Sequence, residues 1–264
     1  MKTALKTLLS LIIASAMLLA GPMLMVACSS SNSDWRTADT SSVGVAPLPE
    51  ETPEAVVQVW GARAFSWRGA FAVHTWIATK PANATSFTVH EVVGWGTNKV
   101  RSRETQPDRR WYGNDPALLA DYRGAEAAAI IPDILEAIED YPYQSTYVIW
   151  PGPNSNTFVS WVIRQVPEFD VVLPNNAIGK DYLGESTFVA ATPSDSGYQV
   201  SLWGYLGVLA SLREGLEINV LGLSFGVDPL GLGIKIPGVG QIGLRDPWMY
   251  RKPPLDDLDS LGSL

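Results

Sequence analysis

The sequence is short of the residues that build most metal and redox centres. It has one cysteine and two histidines in 264 residues. A single thiol excludes an internal disulfide framework and any multi-thiolate metal site. Two imidazoles leave little for zinc or iron, so no metal and no cofactor is expected. Cations are also outnumbered: 19 Lys and Arg face 27 Asp and Glu, a formal net charge of −8. Nucleic acid is not an expected partner, because neutralising phosphates needs clustered Lys and Arg. Charged residues make up only 17% and hydrophobic ones 46%, which excludes a disordered chain and implies a packed core.

What is present begins with an address. Lys2 and Lys6 precede a nearly unbroken apolar run, Leu8 to Ala20, ended by Gly21-Pro22 and followed by Met25-Val26-Ala27-Cys28. This is the pattern of a signal peptide over residues 1–27. The tetrapeptide resembles a bacterial lipobox, in which the cysteine is acylated, for example with palmitate, and becomes the new N-terminus. The resemblance implies lipidation at Cys28, the only cysteine. Membrane attachment in the cell envelope follows, with Ser29 resembling an outer-membrane sorting residue and the bulk facing the periplasm. An uncleaved signal anchor is the alternative, since Thr7 to Ala27 could span about 30 Å of hydrocarbon.

Composition then divides the rest. Residues 28–53 are rich in Ser, Thr, Pro and acids and read as a flexible tether. Residues 54–192 form the expected core domain, 193–250 a Gly/Leu-rich β-meander, and 251–264 a disordered tail. Strands are expected at Val56–Ala64, Phe71–Thr79, Phe87–Trp95 and Thr146–Trp150. Asn114-Asp115-Pro116 signals a helix start, predicting helices over Ala117–Tyr122 and Ala125–Glu139. A further helix begins at Asn154-Ser155 and carries the stripe Phe158, Val159, Val162, Ile163, Val166. Three meander strands are expected over Tyr198–Leu212, Leu216–Val227 and Leu232–Leu244. The fold class is α+β, an antiparallel sheet packed on helices and extended by the meander.

Chemistry concentrates at three residues. A hairpin centred near Asn83 places His90 opposite Trp76. His74 and His90 then share a face as diagonal neighbours, about 7–8 Å apart between Cβ atoms. Ser155 stands at a helix N-terminus, where unpaired N–H groups favour a nucleophile and can stabilise an oxyanion. The order, a His-bearing strand followed by Asn-nucleophile-x-x-Phe at a helix start, resembles circularly permuted papain-like proteins of the lecithin:retinol acyltransferase-like group. That resemblance implies a permuted papain-like core, with Ser155 as nucleophile, His74 as base and His90 as third polar residue. Trp76, Asn154, Asn156 and Arg68 would line the substrate site. The implied activity is hydrolysis or acyl transfer at an amide or ester, with cell-wall peptides or acyl lipids as partners.

The departure is that serine stands where the family has cysteine. The alternative is therefore a catalytically inactive papain-like module that binds a ligand or serves as a structural envelope protein. Each residue also has an ordinary reading: Ser155 as a helix cap, His74 as a core histidine, His90 as a strand residue, and Arg68, Arg109, Arg110 and Lys180 as solvated charges. A closer, chain-wide resemblance rests on Trp67-Arg68-Gly69-Ala70-Phe71-Ala72-Val73-His74-Thr75-Trp76, Asp108-Arg109-Arg110-Trp111, Trp150-Pro151-Gly152-Pro153-Asn154-Ser155-Asn156-Thr157-Phe158 and Ile178-Gly179-Lys180-Asp181. With these the chain resembles an uncharacterised bacterial family, the domain of unknown function numbered 3750. That family supplies no activity.

Overall fold

The longest apolar run forms the longest helix. In the computed structural model, which describes residues 2–28 and 34–244, α1 spans Lys2–Cys28. Its stretch Leu5–Cys28 is long and apolar enough to cross a membrane, as either a signal sequence or an anchor would be. Gly21 and Pro22 are buried, with Gly21 against Pro237, Ile236 and Val239 and Pro22 against Gly238.

Five strands follow: β1 (Val56–Arg63), β2 (Val73–Lys80), β3 (Thr88–Val92), β4 (Val100–Glu104) and β5 (Ala117–Arg123). They form an antiparallel sheet in the order β4-β3-β2-β1-β5. All of β2 is buried and so is nearly all of β1, as their dense β-branched and aromatic content suggests. Two helices, α2 (Gly124–Glu139) and α3 (Ser155–Gln165), cover one face. Val57, Val59, Ile77, Ile134, Phe158 and Val162 meet there. The opposite face gathers Trp60, Trp76, Phe87, Val89 and Trp111.

Several expectations change. Ala117–Tyr122 is strand rather than helix: β5 pairs with β1 from Val56↔Arg123 to Gly61↔Ala117, with a register shift at Val59/Trp60. The open edge of β1 overrides the helix-start signal, as tertiary pairing commonly does. Thr146–Trp150 forms no strand; its chain turns and bends into α3. The segment expected as a loose tether is tied down from Asp39 onward. Asp108, fully buried, accepts from Ser42 Oγ and from the backbone N–H groups of Val45 and Ala46. Arg110 pairs with Asp39. The expected tail 251–264 lies outside the described residues.

The meander has more strands than the three expected. β6 (Val189–Ala191), β7 (Gly197–Leu202), β8 (Leu206–Ser211), β9 (Gly215–Val220), β10 (Leu223–Asp228), β11 (Gly233–Ile236) and β12 (Gly240–Ile242) pair in sequence order. Trp203-Gly204, Leu221-Gly222 and Pro237-Gly238 supply turns inside the long apolar runs, with positive φ at each glycine. The inward face is polar: Gln199, Leu209, Glu217, Gly226, Lys235 and Gln241 stand in one row across β7 to β12. Gly226 lies between Glu217 and Lys235 in that row. The side chains of this row are buried against the core domain.

Candidate functional site

The geometry around the two histidines turns on register. Ile77 stands opposite His90 and Ala78 opposite Val89, one residue away from the expected pairing of Trp76 with His90. A one-residue slip moves a side chain to the other face. His90 therefore lies on the α3 face with Thr79, while His74 lies on the tryptophan face with Trp76. The loop joining β2 to β3 sets this offset: Asn83 takes positive φ (61°), and its N–H donates to Pro53 O. The expected sharing of a face by His74 and His90 is thus corrected.

Ser155 is separated from His74 by the same alternation. Thr75, next to His74, donates its hydroxyl to Asn156 Oδ1 at 2.9 Å, and Asn156 Nδ2 donates to Val73 O. The start of α3 is thereby fixed on the Thr75 face, with the sheet between Ser155 and the His74 ring. Ser155 is the first helical residue after the Asn154 cap. Asn154 Oδ1 accepts from the N–H groups of Asn156 and Thr157, and Thr157 Oγ1 accepts from Asn154 N, a complete capping box. The same three residues hold the Ile178-Gly179 backbone. Asn154 and Asn156 donate to Ile178 O, and Thr157 donates to Gly179 O. Two of the sequence motifs therefore lock onto each other.

Both histidines are committed elsewhere. His90 Nε2 lies 2.9 Å from Thr79 Oγ1 and Nδ1 lies 2.8 Å from Ser102 Oγ. Burial pushes its pKa down to about 4, so the ring is neutral. The His74 ring stacks on Trp111 at 3.6 Å between centroids, and its Nε2 faces Glu91 Oε2 at 3.4 Å. Burial lowers the His74 pKa, while the hydrogen bond and charge of Glu91 pull it the other way.

Glu91 is the hub that sequence reasoning missed. It is 1% exposed and also accepts from Arg109 at 2.5 Å and Arg103 at 3.0 Å. Burial alone would raise its pKa. The His74 hydrogen bond and the Arg109 charge outweigh that and hold it at about 2. Arg109 lies over Trp111 and Trp76 at 5.3 and 5.8 Å, while half-exposed Trp95 stacks beyond Trp111. The signal was the Asp108-Arg109-Arg110-Trp111 run together with His90-Glu91 inside β3. The register slip hid it.

The remaining expected contacts are dispersed. Trp76 is fully buried and donates Nε1–H to Pro107 O, so it faces no ligand space. Arg68 is exposed and lies over Trp67. Lys180, read as a solvated charge, is buried and sits 2.6 Å from Glu217. Among the described residues no cluster of three or more His, Cys, Asp or Glu could hold a metal. Cys28 is exposed at the end of α1.

The molecule is thus a two-sheet α+β protein with an apolar N-terminal helix and two buried ionic hubs, at Glu91 and Glu217. Residues 54–182 match the family model described as Protein of unknown function (DUF3750). No curated protein and no solved structure matches the chain.

Proposed function

We propose that this protein is a membrane-attached component of the bacterial cell envelope whose folded part binds and holds rather than transferring acyl groups at Ser155. The supporting observation is the alternation at His74-Thr75. Thr75 bonds to Asn156 beside Ser155, while His74 points through the other face to Glu91. A serine needs a base within hydrogen-bond reach to attack an ester or amide. Both nitrogens of His90 and the Nε2 of His74 are already engaged. This favours the inactive binding or structural reading over a Ser155/His74 hydrolase or acyltransferase.

Attachment is proposed through acylation at Cys28, with the outer membrane as destination. The burial of Gly21 and Pro22 against the Pro237–Val239 turn favours a second form, in which α1 is retained as the anchor. Metabolic labelling with an alkyne fatty acid separates the two: label lost in Cys28→Ala supports acylation, and an intact Met1 with no label supports the retained helix. A fluorophosphonate probe tests the first claim. Labelling that disappears in Ser155→Ala would overturn the binding reading.

A further inference from the structure

The seven-stranded sheet is inverted for a protein surrounded by water. Its polar side chains face the core domain, and its apolar ones face outward. One outward row runs Val200, Val208, Ile218 and Phe225 across β7 to β10. The next runs Ala210, Leu216, Val227, Ile234 and Ile242 across β8 to β12. No outward strand position from β6 to β12 carries a charge. Leu216 is 44% exposed and Ile234 61%, so among the described residues nothing covers this face. A one-sided sheet in water presents the opposite pattern, and apolar patches of this extent mark contact sites.

We infer that the outward face of the β6–β12 meander is a lipid-docking surface, laid on a leaflet of the membrane that holds the N-terminus. This rests on the membrane attachment proposed above. Three further observations select lipid over a second copy of the chain. First, the apolar character continues around the ends of the sheet: turn residues Leu221 and Leu232 are 52% and 71% exposed. Both take positive φ (54° and 45°), where a leucine is strained and Gly or Asn is the usual occupant. A flat sheet-on-sheet contact would leave these turns in water, whereas a leaflet can wrap them.

Second, Trp150, Trp203 and Tyr205 cluster at one end of the sheet. Trp150 packs edge-on against Tyr205, and both indole N–H groups donate to backbone carbonyls. All three rings are exposed, in the manner of aromatics seated at a headgroup boundary. Third, α1 meets the domain at the β11–β12 turn of this same sheet. If residues 1–27 are removed instead, only ten residues separate Cys28 from the pinned Asp39, a reach of about 40 Å at most. Either anchor keeps the sheet beside the membrane, and interfacial burial of one apolar face needs no spanning strand.

The test uses the full chain reconstituted into phosphatidylethanolamine–phosphatidylglycerol vesicles that carry a diazirine within the acyl chain. After photolysis, lipid adducts are mapped by mass spectrometry. Adducts on the outward residues of β7–β10 and on the Leu221 and Leu232 turns are expected. They should fall at least tenfold in the double variant Val208→Asp with Ile218→Asp. Both side chains project from the surface, and an unchanged melting profile would confirm that variant's fold. Adducts confined to the N-terminal segment overturn the docking surface while leaving the attachment intact. Failure of the chain to float with vesicles overturns the attachment itself. Chain-to-chain cross-links at Val208 and Ile218 without lipid adducts there overturn lipid in favour of a second copy.

Discussion

Lys180 Nζ lies 2.6 Å from one oxygen of Glu217, and Lys235 Nζ lies 2.5 Å from the other. One buried carboxylate thus joins the family domain, which ends just past Lys180, to the inner face of the meander. Burial would raise the Glu217 pKa, but the two ammonium groups hold it below the usual carboxylate range. Glu217→Gln should leave Lys235 with the Glu214 carbonyl alone and Lys180 with Asp181 alone, and cost about 3 kcal/mol. Lys180→Met keeps the Glu217–Lys235 pair and should cost clearly less. Urea melts of the detergent-solubilised chain read both; equal losses would mean that Glu217 is not the shared hub.

Ser155 and Asn154 should respond in opposite proportion to their places in the sequence motif. Asn154→Ala removes the α3 cap and two bonds to backbone carbonyls, and should cost about 2 kcal/mol or more. Ser155→Ala should cost clearly less than Asn154→Ala, because the Ser155 side chain supplies neither bond of the capping box. Thermal unfolding of the two variants decides it, and a larger loss at Ser155 would assign its hydroxyl a role that its hydrogen bonding does not reveal.

Gly179→Ala is expected to be among the most damaging single-methyl additions. Its φ is +102°, and a Cβ there would overlap the Asn154 side chain. Because Asn154 is bound on both sides, it has nowhere to move. The variant should melt well below the parent, and Asn154→Gly in the same chain should restore part of the loss.

The pH dependence has a definite sign. His90 is neutral in the fold, with its pKa near 4, against a usual value of 6.5. Between pH 6.5 and 4 the unfolded chain binds a proton that the folded chain refuses. Stability is therefore full above pH 6.5 and falls as pH drops through that window, by about 3 kcal/mol from this residue. Glu91 adds a second loss lower down, between its ordinary pKa of 4.5 and about 2. His90→Gln should reduce the slope from pH 6.5 to 4, with the remainder from His74, whose pKa burial also lowers, and should leave the acid limb below 4.5. Chemical unfolding across pH 3–8 measures it, and an unchanged slope would remove His90 as the cause.

Much of the scaffold was legible because it rests on local signals. The strands β1, β2 and β3 lie where β-branched runs place them, and the α3 stripe Phe158, Val159, Val162, Ile163 and Val166 is buried throughout. Two kinds of information were not local. Whether Ala117–Arg123 becomes helix or strand depends on the free edge of β1, 60 residues away in sequence. Whether Trp76 or Ile77 faces His90 depends on a one-residue step in the β2–β3 loop, and that step decides on which side of the sheet His90 and Glu91 lie relative to His74. In the meander, the alternation of Glu217 with Leu216 and Ile218 marks a strand without saying which face is covered: Glu217 is the buried one and Leu216 the exposed one.

Gly226 gives the inner row of the meander its aperture. Glu217 and Lys235 belong to strands that are not neighbours, and their side chains meet only by passing over the strand between them. The one position they cross is occupied by a hydrogen atom. Any larger residue there would act as an insulator between the two charges and would also press on the Leu216 carbonyl. The contact joining β9 to β11 is thus specified as much by the side chain that Gly226 lacks as by the two that reach across it.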